Sequence, residues 1–504
     1  MGVNLMNNNK LIYIISFFSG FLSLSQEIIW MRLISFLGMS VPQTFSYTLA
    51  LFLVGIAIGA HIGKKICQKN KEIKISNLGN IFLISAFIDI FLIIFVYLYS
   101  HYFTPSVIIL GMCVVICASI RGIIFPMVHH VGTQVSKTGA QISNVYFSNV
   151  FGSALAPLLI GFVALEFFNT QQVYLIVCFL TLCIAALCQK NKSFRVLFFS
   201  FSFIPFLLLF VPEKIFYEFS KNSYEENLYP NFILENKHGV IQIYEKNEDQ
   251  IVFGANVYDG KLNTDIFHNS NGIDRAYLIA ALNPNVENVL VIGLSTGSWV
   301  KVLSLMPNIK KMTIIEINPN YIELIKQYPE VKGLLDDPRV EIVVDDGRKW
   351  LKKNNSQKFD TILMNTTWHW RAYVSNLLSL DFIEIIEKQL AANGLAFYNT
   401  TQSMNAYFTA KIVFPYVYQY KFFVLGAKQP QKLNINTLAH NLCLMKDPIS
   451  QKSTFNDLNE CIQAAHIIYS NELIPFEKIQ LNERDQQVIT DDNMITEFKY
   501  GKGL

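Results

Sequence analysis

Charge is scarce in this chain: 16% of its 504 residues are Asp, Glu, Lys or Arg, against about a quarter in an average soluble protein. The shortage is uneven. Through Pro212 there are 12 Lys and Arg but 4 Asp and Glu, a net +8; the remaining 292 residues hold 29 and 34, a net −5. An apolar first part joined to a second part of ordinary composition excludes a simple soluble protein. It equally excludes a chain that is membrane throughout. No basic run occurs in the second part, and the whole chain is only +3, so the electrostatic basis for nucleic-acid binding is missing. Cysteine is also sparse outside the apolar part. Cys67, Cys113, Cys117, Cys178, Cys183 and Cys188 lie in or beside apolar segments, and only Cys443 and Cys461 lie beyond them. None has the spacing of a zinc site, so no metal is expected and the cysteines read as small buried hydrophobes. Internal repeats are absent.

Long apolar runs dominate the first part. A bilayer span takes about 20 residues, and runs of that order occur near 11–37, 43–63, 81–99, 106–128, 142–165 and 172–188. The first is too long for a cleaved leader and further spans follow it. Lys64, Lys65, Lys69, Lys71 and Lys74 follow the second run, Lys137 the fourth, and Lys190, Lys192 and Arg195 the sixth. The alternate loops carry no Lys or Arg, which places the amino terminus in the cytoplasm. The run at 196–211 is short and holds Pro205. Six spans return the chain to the cytoplasm, whereas a full seventh would put the second part outside. Gln26, Glu27 and Arg32 are costly in lipid and are expected to face the bundle interior. Asn144, Tyr146 and Asn149 are milder cases, and Gly55 with Gly59 reads as a helix-packing pair.

From about Asn231 the period changes. VIQIYE and QIVFGAN alternate like hairpin strands, with Asp259-Gly260 as the turn signal. VLVIG (289–293), MTIIEI (312–317), VEIVVDD (340–346), FDTILMN (359–365) and GLAFYNT (394–400) then read as buried strands separated by helical stretches. That alternation is a doubly wound α/β sheet. The expected organisation is a multi-span bundle (1–212), a linker with a small β region (213–262), a Rossmann-like nucleoside-binding domain (263–428) and a polar extension (429–504).

The first of these strands runs into Gly293-Leu294-Ser295-Thr296-Gly297-Ser298, and Glu316 ends the second, 23 residues after Gly293. Glycines let a ligand approach the backbone, and an acid at about that distance suits ribose hydroxyls. With Asp345-Asp346-Gly347 closing the third strand, nucleoside binding is favoured over a purely structural turn.

VLVIGLSTGS, TIIEINP, LLDDPRVEIVVDDGRKWL and FDTILMN resemble the spermidine synthase superfamily, and SGFLSLSQEIIWMRLISFLG at 19–38 resembles its membrane-fused bacterial members. The resemblance implies a methyltransferase-type Rossmann-like fold that holds S-adenosylmethionine or decarboxylated S-adenosylmethionine as substrate. Gly293, Ser295, Thr296 and Gly297 match the nucleoside-cradling turn. Glu316, beside Ile317, matches the ribose-binding acid, and Asp346 with Gly347 the segment beside the adenine. Asn365 stands where the aminopropyltransferases place a catalytic Asp, Trp368 near their second acid, and Thr296 where their turn carries an Asp. The cofactor half of the pattern is present and the acceptor half largely gone.

In its place stands Asn365-Thr366-Thr367-Trp368-His369-Trp370-Arg371-Ala372-Tyr373. Trp faces attract sulfonium or ammonium cations, His369 takes a proton near neutral pH, and Arg371 suits a carboxylate. The competing possibility is that Trp368 and Trp370 merely pack the loop down. The expected activity is release of methylthioadenosine by an integral membrane enzyme, with putrescine a poor acceptor. The alternatives are a transporter whose soluble domain senses a nucleoside, and a methyltransferase. The expected partners are the lipid bilayer and a small sulfonium compound.

Overall fold

A computed structural model describes residues 2–70, 72–133, 138–247, 249–365 and 367–504, without the side chains of residues 2–9. Lys71, Lys137 and Thr366 lie outside the described residues. The chain divides into two compact units, residues 1–240 with 504, and 241–503. The first boundary therefore falls later than the 212 expected, after a further strand β1 (Phe232–Asn236).

Six helices in the first unit are long and apolar enough to cross a membrane: α1 (Lys10–Leu37), α2 (Gln43–Lys69), α3 (Ile75–Tyr102), α4 (Val107–Gly132), and the stretches Gly139–Phe167 and Thr170–Leu187. Residues 196–211 instead form parts of two short helices, Lys192–Phe201 and Phe203–Leu208, the second around Pro205. The bundle is apolar outside, with Phe91, Phe147 and Phe162 exposed, and its largely apolar interior encloses a few polar side chains, Gln26, Asp89 and Arg121 among them. Asp89 pairs with Arg121 at 2.5 Å, and Tyr174 donates to the Asp89 carbonyl. Neither member of that ion pair stood out in the sequence. Arg32 pairs with Glu235 at 3.2 Å and donates to Thr170 Oγ1 and to the Asn236 carbonyl. Glu27, five residues away, is buried without joining that pair. A Cβ on Gly55 would meet Ala118 Cβ at 2.6 Å and one on Gly59 would strike the Ser119 carbonyl, so the two glycines let α2 and α4 touch backbone to backbone.

The second unit opens with an antiparallel meander, β2 (Gly239–Lys246), β3 (Asp249–Gly254) and β4 (Val257–Lys261). Its tight turn is Ala255-Asn256, both at positive φ (47° and 65°), the conformation a two-residue hairpin needs. Asp259-Gly260, read as the turn, instead lies inside β4.

The parallel strands follow as β5 (Asn288–Ile292), β6 (Lys311–Glu316), β7 (Val340–Val344), β8 (Phe359–Met364) and β9 (Leu390–Asn399). β10 (Tyr416–Tyr420), β11 (Phe423–Ala427) and β12 (Ile474–Pro475) extend the sheet antiparallel, giving the order β12-β10-β11-β9-β8-β5-β6-β7. β5 pairs in parallel with both β6 and β8, Leu290 opposite Thr313 and Ile362. The chain thus runs outward from β5 in one direction and returns to its other side through β8. A crevice at the carboxyl ends of β5 and β8 is the ligand position in such sheets. Leu290, Ile362, Met364, Phe382, Ile383 and Tyr398 pack the layer beneath it, each large apolar side chain contributing about 1.5–3 kcal/mol by burial.

Residues 429–504, read as a polar extension, are built into this unit. β12 pairs with β10, Ile489 and Ile495 enter the core, and Asp491 accepts both terminal nitrogens of Arg348 at 2.7 and 2.5 Å. Polar composition hid this because the segment adds side chains to a core built by others. Cys443 and Cys461, read as isolated hydrophobes, form a disulfide between the helices Ile435–Cys443 and Leu458–Tyr469; their separation of 18 residues carried no pairing signal.

Candidate functional site

β5 ends in a turn that only small or strained residues can make. Gly293 has φ +91°, and a Cβ there would come within 2.9 Å of the Asn365 carbonyl oxygen. Gly297 follows at φ +76° and leads into the helix Ser298–Ser304. Ser295 adopts φ +48° without being glycine, a strained conformation of the kind that collects at functional sites.

Glu316, at the end of β6, locks the turn from the side. It is 4% exposed, and its two carboxylate oxygens accept from the Leu294 and Asn318 backbone N–H groups, each at 2.8 Å. Burial, helped by nearby Asp259 and opposed by these N–H donors, pushes its carboxyl up to about 7. Ile317 beside it is half exposed. At the end of β7, Asp346 caps the helix Gly347–Lys353 by accepting from Lys349 N at 2.7 Å. A Cβ on Gly347 would meet Ile292 Cγ2 at 2.7 Å, so this glycine lets the β7 turn lie against the end of β5.

A cavity of about 220 Å³ opens between the β5 turn and the loop after β8. Of the residues singled out from sequence, Ser295, Thr296, Asn365 and Trp368 line it. Gly293, Gly297, Glu316, Ile317, Asp346 and Gly347 are not among its lining residues. His369, Trp370 and Arg371 also stand off the lining. His369 Nδ1 lies 2.9 Å from the Thr401 carbonyl oxygen, so that nitrogen carries the proton. Burial holds the imidazole below its ordinary pKa, neutral at pH 7 with Nε2 unprotonated. Trp370 stacks on Trp368 at 6.1 Å and receives Lys502 Nζ over its ring. Arg371 donates to Thr367 Oγ1 at 2.8 Å, and burial holds its pKa below the ordinary value. The loop is anchored by Glu497, which accepts from Tyr373 N and Ser375 N at 3.0 and 2.8 Å.

The structure also delivers lining residues that sequence reasoning passed over. Asp259 reaches the cavity because β4 continues through it, and Ser295 Oγ donates to its Oδ2 at 3.0 Å. Thr296 had suggested that the turn lost its negative anchor; Asp259 supplies a carboxylate beside it from another strand. Arg275 and Trp299 line it as well. Thr401 and Gln402, at φ 44° and 73°, complete a strained rim. The hydroxyls of Thr296 and Ser298 both donate to the Lys261 carbonyl, tying the turn to β4. Only the Asp-Gly pair signalled any of this, and it was consistent with a surface turn.

The spermine/spermidine synthase domain family matches residues 276–419, the stretch that carries β5 to β9 and the cavity loop. Over 132 residues the chain is 34% identical to a polyamine aminopropyltransferase of Bacillus subtilis, covering 26% of this chain and 46% of that protein. A polyamine aminopropyltransferase of Clostridium botulinum is 38% identical over 88 residues, 17% of this chain and 31% of that one. The chain thus spans about half, or less, of the length of these relatives. The crystal structure of the spermidine synthase from Thermotoga maritima overlays with a TM-score of 0.35 at 17% identity, over 47% of this chain and 85% of that one. The strand order and the family match, not that overlay, support the likeness of this region to a synthase domain.

Proposed function

We propose that the synthase domain binds a sulfonium nucleoside, S-adenosylmethionine or its decarboxylated form, and catalyses displacement of methylthioadenosine from it. The observation that carries this reading is Glu316: an acid at the carboxyl end of β6, tied by Leu294 N–H to the glycine turn beside the cavity. In this reading Glu316 accepts from the ribose hydroxyls and Asp346 with Gly347 borders the adenine. The Trp368 face meets the sulfonium. The nucleophile attacks a carbon bonded to sulfur, the carbon–sulfur electron pair leaves with methylthioadenosine, and the protein contributes orientation and electrostatics. Asn365 orients without taking a proton, because an amide is not a base at neutral pH. The six apolar helices hold the enzyme in a bilayer, with the synthase domain on the cytoplasmic side where its substrate is made.

Incubating the purified full chain with each sulfonium compound and identifying the nucleoside released tests this. Methylthioadenosine is expected. S-adenosylhomocysteine would make the protein a methyltransferase, and flux across vesicles without turnover would make it a transporter.

A further inference from the structure

We propose that the cavity recognises a dipolar α-amino-acid group, and therefore takes complete S-adenosylmethionine, carboxylate included, in preference to the decarboxylated compound. This rests on the nucleoside-binding reading above and specifies which nucleoside.

Among the described residues two formally charged side chains line the cavity, Asp259 and Arg275. They carry opposite signs, and among the described residues no ion pair joins them. Each is held by other groups. Asp259 accepts from Ser295 Oγ at 3.0 Å and lies within hydrogen-bonding reach of the Tyr321 hydroxyl. Arg275 donates through Nε to the Gly272 carbonyl at 2.9 Å and through Nη2 to the Asn271 carbonyl at 3.1 Å. Its guanidinium carbon sits 4.9 Å from the ring centres of both Trp299 and Phe423, which stack on each other at 5.1 Å. Arg275 Nη1 makes no hydrogen bond among the described residues. The guanidinium is thus fixed at the cavity wall with donor capacity unspent.

Arg371 lies in the field of Asp259 and Asp274 in that of Arg275, but neither lines the cavity, so the half-buried charges presented to a guest are one of each sign, a pattern that a dipolar guest matches at both ends. An α-amino acid is such a guest: its ammonium suits Asp259, and its planar carboxylate suits the fork of Arg275. Decarboxylated S-adenosylmethionine would satisfy Asp259 alone and leave Arg275 facing a cationic tail with no anion between. A diamine acceptor would add two more positive charges to the same wall.

The test is calorimetric binding of methylthioadenosine, S-adenosylmethionine and decarboxylated S-adenosylmethionine to the full chain in detergent. S-adenosylmethionine is expected to bind at least about tenfold tighter than the decarboxylated compound, a difference of about 1.4 kcal/mol. Arg275→Gln should erase that preference while methylthioadenosine, which has no amino-acid tail, still binds; Arg275→Lys should restore part of it. Equal or tighter binding of the decarboxylated compound by the native protein overturns the proposal and leaves the nucleoside reading standing. So does a preference that survives Arg275→Gln. If none of the three compounds binds, the nucleoside reading itself has failed. Should the Gln variant not fold, the native comparison decides alone.

Discussion

Replacing Glu316 by Gln, and following nucleoside affinity across pH, tests the site at its most informative residue. The carboxylate is buried, with both oxygens on backbone N–H groups, and its carboxyl is raised to about 7, mainly by burial. A ribose hydroxyl donates best to the ionised form. With a midpoint at about 7, roughly a tenth of the sites are ionised at pH 6 and roughly nine-tenths at pH 8. Affinity should therefore rise about tenfold over that interval, about 1.4 kcal/mol, and level off above it. Methylthioadenosine is the right ligand, since it has neither the amine nor the carboxylate of the full substrate. Gln keeps the shape but removes the charge, so its affinity should fall by about 1.5–3 kcal/mol at pH 8 and lose its pH slope. A folding consequence runs the other way. Because the folded carboxyl is raised from its ordinary 4.5 to about 7, its contribution to stability is fully present below about pH 4.5. That contribution is lost as pH rises to about 7, about 3 kcal/mol in all. The Gln variant should lack that decline. A flat affinity profile in the native protein, or a slope that persists in Glu316→Gln, would refute the placement of Glu316 against the ligand.

The remaining expectations concern topology, acceptor and the carboxyl-terminal segment. A reporter fused after Leu504 should be active only as a cytoplasmic fusion; activity outside would overturn the six-span arrangement. In a cytoplasmic setting, Cys443 and Cys461 should be trapped as thiols by alkylating intact cells, the disulfide forming only in oxidising conditions. Putrescine should yield little spermidine, because one carboxylate and one guanidinium line the cavity and a dication gains no net counter-charge there; efficient spermidine formation would contradict this. Glu497→Ala should lower stability by about 2–4 kcal/mol, since it strips the partner from the Tyr373 and Ser375 N–H groups. Denaturant melts followed by tryptophan fluorescence should show it, and an unchanged midpoint would mean that the loop is held by other contacts.

Local pattern was enough for much of this protein. The six apolar runs, the β–α alternation, the glycine turn and the acid at 316 are all visible because each depends on hydrophobic period or on spacing within one βαβ unit. The packing role of Gly55 and Gly59 was visible for the same reason, since both lie on one face of one helix. What needed the tertiary structure was every partnership between distant segments. Asp259 becomes a cavity residue only because the hairpin turns at Ala255-Asn256 and carries β4 onward to the β5 turn. Arg275 joins it from the start of the next helix, Asp274–Leu282, held by aromatic rings from two further elements. Which nitrogen of His369 stays open was not legible in the sequence: the Thr401 carbonyl claims Nδ1–H and leaves Nε2 as the basic nitrogen. Asp89 and Arg121 are single charges on separate helices until the bundle closes them into a pair. A carboxyl-terminal segment of polar composition still completes the sheet and clamps the cavity loop through Glu497. Sequence fixes which chemistry each side chain carries; which charges face one another, and which stay unpaired toward a ligand, is decided by strand order and by the distances that folding closes.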